Sequence, residues 1–232
     1  MNQETTIISL GGSIIAPQGV DAPFIKAFHT LITKWLDAKH GRRVILITGG
    51  GAPARIYQEA YREAAISPIS ETQDWIGIAA TRLNAALIKG IFQADCTDAV
   101  VTDPTADFQF TGRVLVGAGW KPGFSTDFDA VLLAERFGAK KVINLSNISQ
   151  VYTADPKKDP QARPLPLMTW KEFKELVGEE WSPGLNAPFD PIATKKSAEL
   201  GLEVVVASGR DLPNLEKILN NQDFFGTKIG PN

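Results

Sequence analysis

An α/β fold with a mostly parallel sheet is the fold class that this sequence predicts. Strand-like runs alternate with segments of helical periodicity along the chain, which is typical of that class. The runs at 44–47 and 204–206 are aliphatic throughout, as in strands that are buried on both faces of a sheet. Right-handed crossovers place the loops that follow such strands along one edge, where binding groups are expected.

Six strands are predicted, each from a short apolar run. They span 6–10, 44–48, 98–102, 113–117, 141–145 and 203–208. Six helices are predicted between and after them. The first has its apolar face between Phe24 and Leu36, at spacings that fall on one side of a helix, and the second spans about 73–92. The other four start at capping residues, which are Thr126 (with Asp129 as a capping-box variant), Thr169, Asp190 and Asp211.

Composition sets the class of protein. The chain has 232 residues, with 44% hydrophobic and 22% charged residues and a net charge of −2. This length predicts one large domain, 1–232, or two small lobes. The balanced charge argues against a nucleic-acid partner. A single cysteine, Cys96, and the lack of any long apolar run predict a cytoplasmic protein without a membrane partner.

Two glycine loops follow the first two predicted strands. Gly11-Gly12-Ser13 could present backbone N–H groups and a hydroxyl to a phosphate, or could be an ordinary turn. The run 49–51 is three consecutive glycines followed by Arg55. That run favours close approach of a ligand to the backbone, with the Arg55 guanidinium as a charged, bidentate donor to phosphate. The alternative is a tight turn with Arg55 in solvent.

A third loop, 117–127, combines glycines, Lys121 and the hydroxyls of Ser125 and Thr126 at a helix start. Such a helix start is an anion site, although one hydroxyl can also cap the helix. The carboxylates Asp127 and Asp129 are predicted to cap and solvate this helix rather than act as acid and base. No loop has the Walker or G-x-G-x-x-G pattern, and no His/Cys cluster predicts a metal site of the protein's own.

Together these loops resemble the amino-acid kinase superfamily, and within it the archaeal-type uridylate (UMP) kinases. The stretches that carry the resemblance run in order through the whole chain: 11–13, 49–51 with Arg55, 74–87, 121–127, 151–160, 186–193 and 226–229. The resemblance implies a three-layer α/β/α sandwich. It implies a single domain, 1–232, with an N-terminal acceptor-binding lobe of about 1–140 and a C-terminal ATP-binding lobe of about 141–232. It also implies ATP-dependent phosphorylation of UMP to UDP with Mg²⁺, in a cytoplasmic homohexamer that serves pyrimidine nucleotide synthesis.

The resemblance also implies the site. On the ATP side it places Gly12, Ser13, Gly51, Arg55, Ser146, Asn147, Tyr152 and Asp155. On the UMP side it places Gly50, Asp74, Trp120, Lys121, Pro122, Gly123, Phe124, Ser125 and Thr126. No lysine precedes the first glycine pair, where many superfamily members have one, so the predicted catalytic cations are Arg55 and Lys121.

Two departures keep other functions open. Ser149-Gln150 stands where uridylate kinases usually have Asp-Gly, and Gln150 needs a backbone φ that a side chain permits. Trp120-Lys-Pro-Gly-Phe124 stands where archaeal-type relatives often have Thr-His-Pro-Gly-His. One alternative is a kinase of the same superfamily for another phosphate or carboxylate acceptor. The other is a non-catalytic nucleotide-binding protein, which would bind ATP without turnover.

Overall fold

A computed structural model describes residues 4–156, 158–178 and 188–231. Its seven strands form one sheet. In chain order they are β1 Glu4–Leu10, β2 Arg42–Thr48, β3 Val114–Gly117, β4 Lys141–Ser146, β5 Leu167–Thr169, β6 Glu203–Ser208 and β7 Thr227–Gly230. The strand order is β3-β2-β1-β4-β6-β7-β5. Only the β6–β7 pair is antiparallel among these strands, which confirms the predicted sheet.

Eight helices connect the described strands. They are α1 Gly12–Ile15, α2 Ala22–Asp37, α3 Gly51–Ala64, α4 Ser70–Ile91, α5 Thr126–Phe137, α6 Trp170–Val177, α7 Pro191–Leu200 and α8 Leu212–Leu219. Within the described part of the chain, no helix is both long and apolar enough to cross a membrane.

The hydrophobic core lies in two layers, one on each face of the sheet. Alternate residues of β1 point to opposite layers, as Ile8 packs with α2, α4 and α8 while Ile7 packs with α5, α6 and α7. Burial on both faces explains why the central strands are aliphatic without polar alternation. The result is the three-layer α/β/α arrangement that the resemblance implies.

Capping residues predicted helix starts well. Thr169 and Glu172 form a complete capping box, and the side chains of Asp190 and Asp211 cap α7 and α8. The helix α5 does begin at Thr126, but the side chain that caps it is that of Ser125, which accepts from the Phe128 N–H. The predicted Thr126–Asp129 capping box is therefore wrong.

The predicted strand 98–102 is also wrong. Its pairing with the sheet is limited to one bridge, between Val101 and Gly117. The Asp98 carboxylate instead accepts from the backbone N–H groups of Thr111 and Gly112. Because this end of the segment is tied to a neighbouring loop, the ladder does not extend beyond one residue.

Four short or weakly patterned elements were not predicted, namely α1, α3, β5 and β7. The helix α3 is polar on average and has only one buried residue, Ala52, so its apolar positions did not stand out as a face directed at the core. The strands β5 and β7 have three and four residues, which is too short for a period of two to stand out.

Candidate active site

The crevice beside β1 is where this topology places a ligand. The strand β2 lies on one side of β1 and β4 lies on the other. The connection that follows β1 therefore runs to one side of the sheet, and the connection that follows β4 runs to the other. In open α/β sheets the loops diverge at such a point and leave a crevice at the carboxyl ends of the strands. Gly11 follows β1 there, and Gly49 follows β2.

The two N-terminal glycine loops pack backbone against backbone at this point. A Cβ atom added to Gly12 would lie 2.0 Å from the backbone nitrogen of Gly51, and one added to Gly49 would lie 2.4 Å from that of Gly12. Gly51 has a φ of +68°, a conformation that favours glycine. The two loops therefore form one surface of main chain, which is the arrangement expected for a phosphate site.

The helix α4 fixes the second loop from below. The Asn84 amide donates to the carbonyl oxygens of Gly49 at 2.7 Å and Gly50 at 3.2 Å. The Thr48 hydroxyl donates to the carbonyl oxygen of Thr81 at 3.0 Å. Asn84 and Thr81 lie within the quoted 74–87 stretch, but only the fold shows that they support the glycines.

Ser13 and Arg55 lie on the helices that follow the two glycine loops. Ser13 is half-buried on α1, and Arg55 is exposed on α3. The Arg55 guanidinium donates to the carbonyl oxygen of Pro17, just beyond α1, at 3.3 Å. The predicted ATP-side residues Gly12, Ser13, Gly51 and Arg55 are thus brought to one corner of the fold.

The predicted acceptor residues also come together. We call residues 118–125, between β3 and α5, the acceptor loop. The Asp74 carboxylate accepts from the Gly123 N–H at 3.2 Å, and Gly123 has a φ of +84°. The Thr81 hydroxyl accepts from the Gly119 N–H at 2.8 Å. Since Asp74 and Thr81 both lie on α4, this helix supports the acceptor loop as well as the glycines.

Two half-buried aromatic side chains, Trp120 and Phe124, flank the exposed Lys121 in the acceptor loop. The Trp120 and Phe124 ring centroids lie 5.2 Å apart, and Phe124 stacks on Phe128 of α5 at 4.8 Å. The Lys121 ammonium lies 3.9 Å from the Trp120 ring centroid, within the range of a cation–π contact. The loop thus offers ring faces and one positive charge, and Pro122 and Gly123 form its turn.

The start of α5 carries the predicted Ser125 and Thr126, and also a carboxylate with an unexpected environment. Asp127 accepts from the Ser9 hydroxyl of β1 at 3.0 Å and from the backbone N–H of Asp190. Loss of hydration raises the pKa of Asp127 to about 6, even though these two donors favour its charged form. Asp127 therefore joins β1, α5 and α7 at the crevice, a role that its position in a first helical turn did not reveal.

Asp190 belongs to the same network. It caps α7 through the Ala193 N–H at 2.7 Å, and it accepts from the Ser125 hydroxyl. Burial raises the pKa of Asp190, while these donors oppose the shift. Ser125 thus serves two partners, the α5 backbone and Asp190.

The prediction that Asp129 is a solvated capping residue is wrong. Its side chain is 1% exposed, and one carboxylate oxygen accepts from the Trp120 N–H at 3.2 Å. Burial raises its pKa to about 8, and the charges of Asp127, Asp103 and Asp190 add to the shift.

The predicted adenosine residues follow β4 on the other side of β1. Ser146 ends β4 and its hydroxyl accepts from the Ile148 N–H at 3.2 Å. Asn147 and Asp155 are exposed, and Tyr152 is half-buried and bridges to Pro164. These four residues lie along one loop, which continues from a strand adjacent to β1.

The unusual Gln150 fits this loop without strain. Among the described residues, Asn221 is the one non-glycine with positive φ, so Gln150 adopts a conformation open to any side chain. Its amide is buried and donates to the carbonyl oxygen of Gly226 at 3.0 Å. The departure at 149–150 is therefore accommodated by a bond to the segment before β7.

In the parts of the chain that the structure describes, no three His, Cys, Asp or Glu side chains cluster in a way that could hold a metal ion. Of the predicted stretches, residues 186 and 187 and residue 157 lie outside the described residues.

Comparison with known proteins identifies close relatives. The profile of the amino acid kinase family matches residues 4–208. A uridylate kinase of Methanospirillum hungatei is 36% identical over 98% of this chain and 95% of its own length. One from Methanocorpusculum labreanum is 35% identical, over 97% of this chain and 94% of its own length.

Solved structures show the same fold. The crystal structure of uridylate kinase from Archaeoglobus fulgidus superimposes with a TM-score of 0.80 at 30% identity, and the match covers 98% of this chain and all of that one. The UMP kinase of Bacillus anthracis has a TM-score of 0.79 at 17% identity, a level at which the likeness concerns the fold alone.

Proposed function

Because this chain belongs to the amino acid kinase family, and its relatives at 35–36% identity over nearly the full chain are uridylate kinases, we propose that it is a nucleoside monophosphate kinase that transfers the γ-phosphoryl group of ATP to UMP. The observation that carries the proposal concerns the loops at the carboxyl ends of β1, β2 and β3. There a glycine surface and an aromatic acceptor loop are held by the same helix, α4.

Each side of the crevice takes one nucleotide in this proposal. Gly12, Ser13, Gly51 and Arg55 would contact the ATP phosphates, and the loop with Ser146, Asn147, Tyr152 and Asp155 would hold the adenosine. Gly50, Asp74 and residues 120–126 would hold UMP. The proposed lobes divide the nucleotides only in part: the acceptor loop lies before residue 140 and the adenosine loop lies after it, but the residues proposed for the ATP phosphates also lie before residue 140.

Direct in-line transfer suits this set of groups. Phosphoryl transfer needs little covalent chemistry from the protein, and its catalysis is largely positioning and charge stabilisation. Backbone amides at the glycine surface and the N-terminus of α5 favour negative charge on phosphate oxygens. No covalent nucleophile is assigned.

The strand β1 has no lysine before the glycine pair, and its Ser9 hydroxyl donates to Asp127. The positive charge that stabilises the transferring phosphoryl group must therefore come from side chains outside β1. Lys121 and Arg55 are the proposed cations. The Lys121 ammonium rests on the Trp120 ring at 3.9 Å and would move to the transferring phosphoryl group when both nucleotides are bound. Mg²⁺ enters with ATP as part of the substrate, and most of its ligands would be phosphate oxygens and water.

Self-association is part of the proposal. The outward face of α4 is exposed and carries no charge at the positions Trp75, Ala79, Leu83, Ala86 and Gly90. The neighbouring helix α3 adds the exposed side chains of Ile56 and Tyr57. An apolar face of this kind is typical of a protein interface, so it supports a homo-oligomer, while the number of six, the cytoplasmic setting and the role in pyrimidine synthesis rest on the resemblance.

The test is a steady-state assay of ADP release from Mg·ATP, with UMP, CMP, AMP and no acceptor in parallel. The proposal predicts that UMP gives a kcat/KM at least about tenfold above the other acceptors, a difference of about 1.4 kcal/mol in transition-state binding. Turnover with another acceptor alone would favour a different kinase of the family. ATP binding without any turnover would favour the non-catalytic alternative.

A further inference from the structure

The acceptor loop is held at its base by polar contacts to the Gly119–Trp120 peptide groups. From α4, the Thr81 hydroxyl accepts from the Gly119 N–H at 2.8 Å. The Arg82 guanidinium donates to the carbonyl oxygens of Gly119 at 3.4 Å and Trp120 at 3.1 Å. From α5, Asp129 accepts from the Trp120 N–H at 3.2 Å. These contacts aim the Trp120 ring and, with it, the ammonium of Lys121.

Asp129 differs from the other members of this group because it is ionisable and enclosed. It is 1% exposed, and its second carboxylate oxygen is buried without a hydrogen-bond partner in the described structure. A charged carboxylate with a single neutral donor in such a place is costly, whereas an uncharged carboxyl is tolerated.

The charged groups around Asp129 add to that cost. Three carboxylates act on it from three elements: Asp127 of its own helix, Asp103 of the loop that precedes β3, and Asp190 at the start of α7. Asp103 itself accepts a hydrogen bond from the Trp120 side chain, so it also borders the acceptor loop. The cation of this group, Arg82, is directed at the loop carbonyls.

We propose that Asp129 is a positioning residue for the acceptor, which acts through the Trp120 peptide group and holds the acceptor loop in place only while its carboxyl is uncharged. Ionisation places a fourth negative charge among Asp103, Asp127 and Asp190. Entry of water would relieve that charge, and the acceptor loop is the segment whose backbone contacts the Asp129 carboxylate. The inference rests on the proposed function, because it assigns a role in UMP binding.

The first test separates KM from kcat across pH. We expect the KM for UMP of the unsubstituted enzyme to rise about tenfold between pH 6 and pH 9, because one group must lose a proton to release the loop. The KM for ATP should stay within about twofold. The Asp129→Asn variant keeps an acceptor for the Trp120 N–H and should show a nearly flat KM for UMP.

The control for this test is Asp107→Asn, since Asp107 is an exposed carboxylate of the loop before β3 and lies outside the site. It should follow the unsubstituted enzyme at every pH. If the profiles of Asp129→Asn and the unsubstituted enzyme superimpose, or if the KM values for UMP and ATP rise together, the proposal is overturned.

A second measurement needs neither turnover nor the Asp129 variant. The fluorescence of the unsubstituted protein minus that of Trp120→Phe, without nucleotides, should titrate with a midpoint near pH 8. A difference that stays constant between pH 6 and pH 9 overturns the proposal even if Asp129→Asn does not fold. A protein that shows this titration but does not phosphorylate UMP overturns the proposed function and supports the control of the loop by Asp129.

Discussion

At the residue scale, the candidate site combines side chains that could be predicted from the sequence with side chains whose contacts only the fold shows. Trp120, Lys121 and Asp74 stand out as functional types in the chain, and the structure brings them to one loop and its supporting helix. Asp127 and Asp129 looked like ordinary residues of a first helical turn. Their importance comes from Ser9 and Trp120, partners that are distant in sequence or lie in a loop of unpredictable path.

Lys121 tests the assignment of charge in the site. Since its ammonium is the proposed cation for the transferring group, Lys121→Ala should lower kcat more than tenfold and change the KM for UMP less than about threefold. The control is Lys26→Ala, because Lys26 is exposed on α2, away from the crevice. An unchanged kcat for Lys121→Ala would remove Lys121 from the chemistry.

The raised pKa of Asp129 predicts how the stability of the protein depends on pH. Its pKa in the folded protein is about 8, whereas an unfolded chain has a value of about 3.9. Between these values the folded state holds one more proton than the unfolded state, so the free energy of unfolding falls as pH rises. The contribution is about 1.4 kcal/mol per pH unit between roughly pH 5 and 7.

Urea unfolding at pH 5, 6 and 7 measures the total slope, to which Asp127 and Asp190 also contribute because their pKa values are raised. Asp129→Asn should remove the contribution of Asp129, so the stability of the variant relative to the unsubstituted protein should grow with pH. The exposed Asp107→Asn change should leave the slope in place. Equal slopes for all three proteins would mean that Asp129 is already charged at neutral pH.

At the scale of the elements, patterns with a local cause were predictable. Caps at Thr169, Asp190 and Asp211 depend on residues three apart, and the apolar face of α2 repeats over four turns. Local patterns failed for the helix α3, which was not predicted, and for the segment 98–102, which was wrongly predicted to be a strand. The helix α3 is stabilised by packing on α1 and α4. The segment 98–102 does not form a hydrogen-bonded ladder because Asp98 is bonded to the backbone of residues 111 and 112.

The contact between the two glycine loops provides a test at this scale. In Gly12→Ala, the new methyl group would meet backbone atoms of the second loop, which cannot move aside as a side chain would. We expect a loss of about 2 kcal/mol or more in unfolding free energy and a KM for ATP raised at least about tenfold.

Gly19→Ala is the matched control for that change, because nothing lies within 4 Å of a Cβ atom at this position. It should leave both stability and the KM for ATP within experimental error. Normal ATP affinity in a folded Gly12→Ala protein would show that the glycine surface does not carry the phosphates.

At the scale of the whole molecule, the α/β class and the parallel sheet followed from composition and alternation. The candidate site was expected at the edge of the sheet where the loops after parallel strands meet, and the strand order adds that β1 lies there between β2 and β4. The crevice positions could be predicted because loops after parallel strands share one edge. The network that holds them could not, since it depends on how α4, α5 and α7 pack around that edge.

The apolar face of α4 predicts the behaviour of the molecule in solution. Leu83 is 67% exposed, and Leu83→Asp places a charge at the centre of the proposed interface. Sedimentation should show an oligomer for the unsubstituted protein and a smaller species for the variant. Leu167→Asp, at an equally exposed leucine of β5, should sediment as the unsubstituted protein does, and a Leu83→Asp protein of unchanged size would place the interface elsewhere.

The central claim is that one crevice brings ATP and UMP together for direct transfer. The measurement that tests it most directly is the yield of UDP relative to ADP, followed by phosphorus NMR in a mixture of Mg·ATP, UMP and a catalytic amount of the protein. The account predicts one UDP for each ADP, with no free phosphate. Formation of ADP and phosphate without UDP, or no reaction at all, would contradict it.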